Sequence, residues 1–73
     1  MQDIIRYIKK NEITYKDAVI YYFIENNPNK TALQISKLLD CNYSRLTESL
    51  KVLIELKLIV KTLEKPVRFM INE

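Results

Sequence analysis

Residues 31–59 read "TALQISKLLDCNYSRLTESLKVLIELKLI", two helical patterns joined by the short polar stretch "DCNY", and the spacing within them decides the fold. Thr31 and Gln34 match a capping box, in which each side chain satisfies a backbone N–H of the first helical turn. Ile35, Leu38 and Leu39 then supply an apolar stripe, so a short helix is predicted over about 31–39. Beyond the turn, Leu46, Leu50, Leu53 and Leu56 recur at intervals of four, three and three, which places them on one face of a helix. That helix is expected to begin near Asn42 or Tyr43 and to run to about Lys57, with its leucines in the core. Tyr43, Ser44, Thr47, Glu48 and Lys51 then form one polar stripe on the opposite, solvent side.

Working outward, "NNPNK" at 26–30 is the densest cluster of turn formers and reads as a loop between helices. Before it, Thr14 and Asp17 form an acidic variant of the same cap, and Ala18, Val19, Tyr22 and Phe23 recur at helical spacing. A helix over about 14–26 follows. Nearer the amino terminus, Asp3 is placed to cap a short helix using Ile4, Ile5 and Ile8, a segment too short to be stable without a surface to dock on. Downstream, "IVKTL" and "VRFMIN" are rich in β-branched and aromatic residues, alternate in polarity and are separated by "EKP". They read as a two-stranded hairpin with Val67, Phe69 and Ile71 facing the core. The expectation is one mainly α domain with a small β-hairpin, covering 1–73.

Composition narrows the chemistry. A chain of 73 residues buries only about 60% of its unfolded surface, which leaves little room for a deep pocket. It contains no glycine, and so none of the glycine-rich loops that cradle phosphates. It also has no histidine and a single cysteine, too few donors for a transition-metal site and no base to pair with a nucleophile. Neither an enzyme, a cofactor, a metal nor a small-molecule effector is expected. Cys41 has no partner for an internal disulfide, reads as a small core residue of the turn, and suits a reducing compartment. Runs such as "AVIYYFI" fall well short of the roughly 20 residues a membrane span needs, and "MQDIIRYIKK" lacks the apolar centre of a signal peptide. A soluble cytoplasmic protein is expected. The abundance of Ile, Lys, Asn and Tyr suits an AT-rich genome such as that of a virus or mobile element, in which case the compartment is the host cytoplasm.

The order helix, short helix, turn, longer helix, hairpin resembles the winged helix-turn-helix transcription regulators, especially the arsenic-repressor-like and MarR-like groups. The resemblance runs from about Thr14 to Asn72 and rests on Leu50, Lys51, Leu53, Leu58 and Ile59 at the end of the second helical pattern. Lys57 stands where that family has a glycine before its final hydrophobic pair, and Asp40 where it has a glycine in the turn; Asp reaches left-handed backbone readily. The resemblance implies sequence-specific binding of double-stranded DNA by a small transcription regulator. Recognition-helix contacts would fall on Asn42, Tyr43, Ser44, Arg45, Thr47, Glu48 and Lys51, and wing contacts on Lys61, Lys65 and Arg68. Glu48 repels phosphate, so its use would be to accept from cytosine or to orient a neighbouring cation.

Winged helices also serve as protein-interaction modules in transcription, replication and partition assemblies, and that is the alternative. Six Lys or Arg against four Glu over 42–73, with a net charge of +3 and a pI near 9.1, favour DNA. Tyr15, Tyr21 and Tyr22 are read as core or subunit-interface residues ahead of base-stacking ones. A homodimer is expected, because one recognition helix reads few base pairs, and Ile4, Ile5, Ile8 and Tyr21 are assigned to its interface.

Overall fold

Each of the three longer helices starts on a polar cap that the sequence marks. The computed structural model describes residues 4–72, in the order α1 (Ile4–Lys9), α2 (Tyr15–Asn26), β1 (Lys30–Thr31), α3 (Ala32–Leu39), α4 (Tyr43–Glu55), β2 (Ile59–Lys61) and β3 (Arg68–Ile71). At the head of α2, the Asp17 N–H donates to Thr14 Oγ1 at 3.3 Å and the Thr14 N–H to Asp17 Oδ2 at 3.0 Å. The same reciprocal pair joins Thr31 and Gln34 ahead of α3, at 3.2 and 2.9 Å. Asn42 caps α4 by accepting from the Arg45 N–H at 3.2 Å. Asp3, the expected cap of α1, lies outside the described residues.

Three helices end on a left-handed residue although the chain has no glycine for the purpose: Asn11, Asp40 and Lys57, with φ of 58°, 51° and 62°. In each case the next residue's N–H reaches back five positions, Glu12 to Tyr7 at 3.0 Å, Cys41 to Ser36 at 3.0 Å and Leu58 to Leu53 at 2.9 Å. These bonds satisfy carbonyls that the helix end would otherwise leave open. Asp40 therefore makes the tight α3–α4 turn in the backbone region that a glycine would otherwise supply. Lys57 ends α4 at Glu55 rather than running it on to about Lys57, and the chain turns directly into β2.

The hairpin is present, and it is part of a three-stranded antiparallel sheet in the order β1-β3-β2. β3 lies opposite β2 with Ile59 facing Ile71 and Lys61 facing Phe69, and opposite β1 with Thr31 facing Arg68. β1 went unforeseen because two residues show no alternation, and the strand exists only through partners about forty positions away in sequence.

The core joins Ile24, Ile35, Leu46, Leu50, Leu53, Leu58, Ile59 and Phe69 from the helices, the sheet and the α4–β2 connection. All three inward leucines of α4 are buried, Leu56 is half-buried, and Val67 and Ile71 pack on the core from the hairpin. α2 corrects the expectation. It buries Ala18, Ile20, Tyr21 and Ile24, whereas Val19 and Tyr22 are 58% and 45% exposed. "AVIYYFI" is apolar around its whole circumference, so periodicity cannot say which side meets the core; α4 and β3 pack on the side of Ile20 and Ile24. Leu38 of α3 is likewise exposed, leaving Ile35 with half-buried Ala32 and Leu39 as that helix's apolar contribution. α1 docks on α2 through Ile4, which is only 2% exposed.

Candidate nucleic-acid interface

α4 is held by its leucines with the opposite face in solvent. Ser44, Glu48 and Lys51 are exposed there as expected, and Glu55 extends the same row. Tyr43 is exposed at the first turn. Thr47 is half-buried on the flank, and its hydroxyl donates to the Ser44 carbonyl at 2.8 Å, so it offers a ligand acceptor capacity only. Asn42 is exposed, but its Oδ1 is occupied in capping, which leaves its amide NH2 for an outside partner. The helix carries two cations, Arg45 and Lys51, and two carboxylates, Glu48 and Glu55, so it is electrically balanced. The positive excess expected of the helix and hairpin together therefore resides in the hairpin and its approach, at Lys57, Lys61, Lys65 and Arg68 against Glu64.

On one side of α4 a cleft of about 340 Å³ separates it from the hairpin, and this cleft brings Thr47, Lys51 and Lys61 together above Leu50, Val67 and Phe69. Glu55 lines it too and offsets one of the two lysines. Lys65 is exposed in the loop between β2 and β3, which the Thr62 hydroxyl organises by donating to the Glu64 carbonyl at 3.2 Å and accepting from the Arg68 N–H at 3.0 Å. Arg68 is exposed opposite Thr31 of β1. Neither Lys65 nor Arg68 reaches the cleft, so the expected hairpin contacts fall into two places.

The other side of α4 holds a larger groove of about 480 Å³, lined by Val19 and Ile20 of α2, Leu39 of α3, Cys41 and Asn42 of the α3–α4 turn, and Arg45 and Leu46 of α4. Sequence reasoning missed its remaining cation, Lys16, because only the packing of α2 on α4 brings it to the same groove as Arg45. Cys41 is exposed on this groove rather than buried in the turn. Tyr21 is a core residue, as read, but Tyr15 is 77% exposed at the mouth of the groove. Of the residues assigned to a subunit interface, Ile4 and Tyr21 are buried within the chain, Ile8 is half-buried, and Ile5 alone is fully on the surface.

Among the described residues no helix is long and apolar enough to cross a membrane, and no three His, Cys, Asp or Glu side chains gather into a metal-binding group. The chain matches no protein-family model and shows no significant sequence similarity to a curated protein.

Proposed function

We propose that the chain binds double-stranded DNA as a winged helix-turn-helix, with α4 in the major groove and the β2–β3 hairpin as a wing against the neighbouring backbone. The observation that carries this reading is the uncovered outer face of α4 standing next to the hairpin, with Lys51 and Lys61 lining one cleft between them. An α-helix fits the major groove, and hydroxyl, amide and guanidinium groups at its leading end suit base edges and phosphates. The leading end here offers Asn42, Tyr43, Ser44 and Arg45, all exposed. Because α4 is electrically balanced, phosphate attraction falls mainly to Lys61, Lys65 and Arg68, while the helix contributes hydrogen bonds. Transcription regulation is the role that the resemblance to winged helix-turn-helix regulators implies for such binding. Two copies on an inverted repeat give that binding its specificity, since one such helix reads only a few base pairs.

Titration of the full chain against duplex DNA at several salt concentrations tests the reading. Phosphate contacts from Lys61, Lys65 and Arg68 imply a slope of about −3 for each bound copy in log K against log salt. A slope near zero, or no binding at low salt, rejects it.

A further inference from the structure

The groove on the α2 side of α4 shares Asn42 and Arg45 with the proposed duplex-binding face, but the rest of its lining has no part in that reading and its chemistry differs from that of the hairpin cleft. Its floor is apolar, made by Ile20, Leu39 and Leu46. From the floor an apolar stripe continues up the outer face of α2 through Tyr15, Val19 and Tyr22, which stand four and three residues apart and are 77%, 58% and 45% exposed. Among its lining residues only Lys16 and Arg45 are charged, and both are cations. We propose that this groove docks an acidic amphipathic helix of a partner protein.

Three physical arguments select that occupant. The apolar floor and the exposed Tyr15 and Val19 beside it offer a continuous apolar surface of the kind that receives the apolar face of an amphipathic helix. A nucleic-acid backbone has no apolar face to place on Val19, Leu39 and Leu46, whereas an amphipathic helix does. The partner must also bring negative charge. In an isologous contact centred on the groove, Lys16 and Arg45 of one copy approach Lys16 and Arg45 of the other, which sets cation against cation and is repulsive. The chain does not supply a suitable helix of its own either. α1 ends in Arg6 and Lys9, α3 carries Lys37, the carboxylates of α4 are balanced by its own cations, and α2, whose Asp17 is buried in its cap, is left with exposed Lys16 and Glu25, which offset each other. An acidic helix from another protein satisfies the apolar stripe and the two cations together. Binding at this groove does not depend on the duplex-binding reading.

Two synthetic peptides of about 16 residues, roughly four helical turns, provide the test. Both carry leucine along one helical face; one has glutamate and the other lysine at the flanking positions. The full chain is titrated without DNA and binding is followed by fluorescence anisotropy of the labelled peptides. The glutamate peptide is expected to bind at least about tenfold more tightly than the lysine peptide, with affinity that falls as salt rises. Val19→Glu, at an exposed position, should reduce that binding about tenfold with the circular dichroism spectrum unchanged. The double reversal Lys16→Glu with Arg45→Glu should transfer the preference to the lysine peptide. Equal affinity for both peptides, no binding of either, or no response to the charge reversal overturns the proposal. So does sedimentation showing a dimer of the chain that Val19→Glu dissociates, since a second copy then covers the groove.

Discussion

The side-chain amide of Asn72 donates to the carbonyl oxygen of Lys57 at 2.7 Å, and the Asn72 N–H donates to the Leu58 carbonyl at 3.1 Å. The end of β3 is thereby tied to the residue at which α4 stops. Lys57 holds a left-handed backbone, which costs a residue with a Cβ about 1–2 kcal/mol relative to right-handed geometry. Lys57→Gly relieves that cost and should raise the unfolding free energy in urea by about 0.5–1 kcal/mol, part of the gain being offset by glycine's greater freedom when unfolded. Asn72→Ala should lower it by about 1 kcal/mol, the usual net worth of one hydrogen bond. A destabilised Lys57→Gly variant would show that the lysine side chain matters more than its backbone strain.

The paired caps give a second stability prediction. Thr14→Ala and Thr31→Ala each remove the acceptor for a first-turn N–H and should each cost about 1 kcal/mol. The two sites lie on different helices with no shared partner, so the double variant should lose close to the sum. A loss in the double variant far from that sum would mean that the two helix starts are energetically coupled.

Those caps were legible in the sequence because a capping box is closed within four residues. The α4 leucines were legible for a related reason: polar residues separate them, so only one face can be inside. α2 lacks that contrast. Val19 and Ile20 are adjacent and equally apolar, and only the position of α4 and β3 determines that Ile20 is buried and Val19 exposed. β1 depends on pairing with β3, and the Lys16–Arg45 groove on the packing of α2 on α4, and neither leaves a local trace. Of the ten expected DNA-contact positions, nine are exposed and Thr47 is half-buried. Local periodicity thus locates a surface better than it identifies which residues act together on it.

α1 offers a sharp test of packing and of subunit pairing. Ile4 and Ile5 are neighbours, yet one is 2% and the other 58% exposed. Ile4→Ala should destabilise the domain by about 2–4 kcal/mol, a large part of what a small domain possesses. Ile5→Ala should stay within about 0.5 kcal/mol of the parent. Ile5→Lys keeps the fold for the same reason. If two copies pair through α1, this variant sediments as a monomer where the parent is a dimer; a parent that is already monomeric, alone and on DNA, removes the homodimer.

The final prediction separates the two kinds of contact assigned to the interface. Arg45 and Lys51 project from opposite flanks of α4, the first beside the α2 groove and the second in the hairpin cleft. A hydrogen-bonded pair with a base edge is worth about 1–3 kcal/mol and is specific to the sequence being read. Arg45→Ala or Lys51→Ala should therefore weaken binding to the preferred duplex by that amount and narrow its lead over a scrambled one. Lys65 and Arg68 lie outside the cleft, on the loop and first residue of β3, and are assigned to phosphate contacts. Changing both to Ala should weaken all duplexes alike and reduce the magnitude of the salt slope by about 2, one for each phosphate that is no longer neutralised. Loss of sequence preference in the hairpin variant, with an unchanged salt slope, would reverse the assignment and make the hairpin the reader.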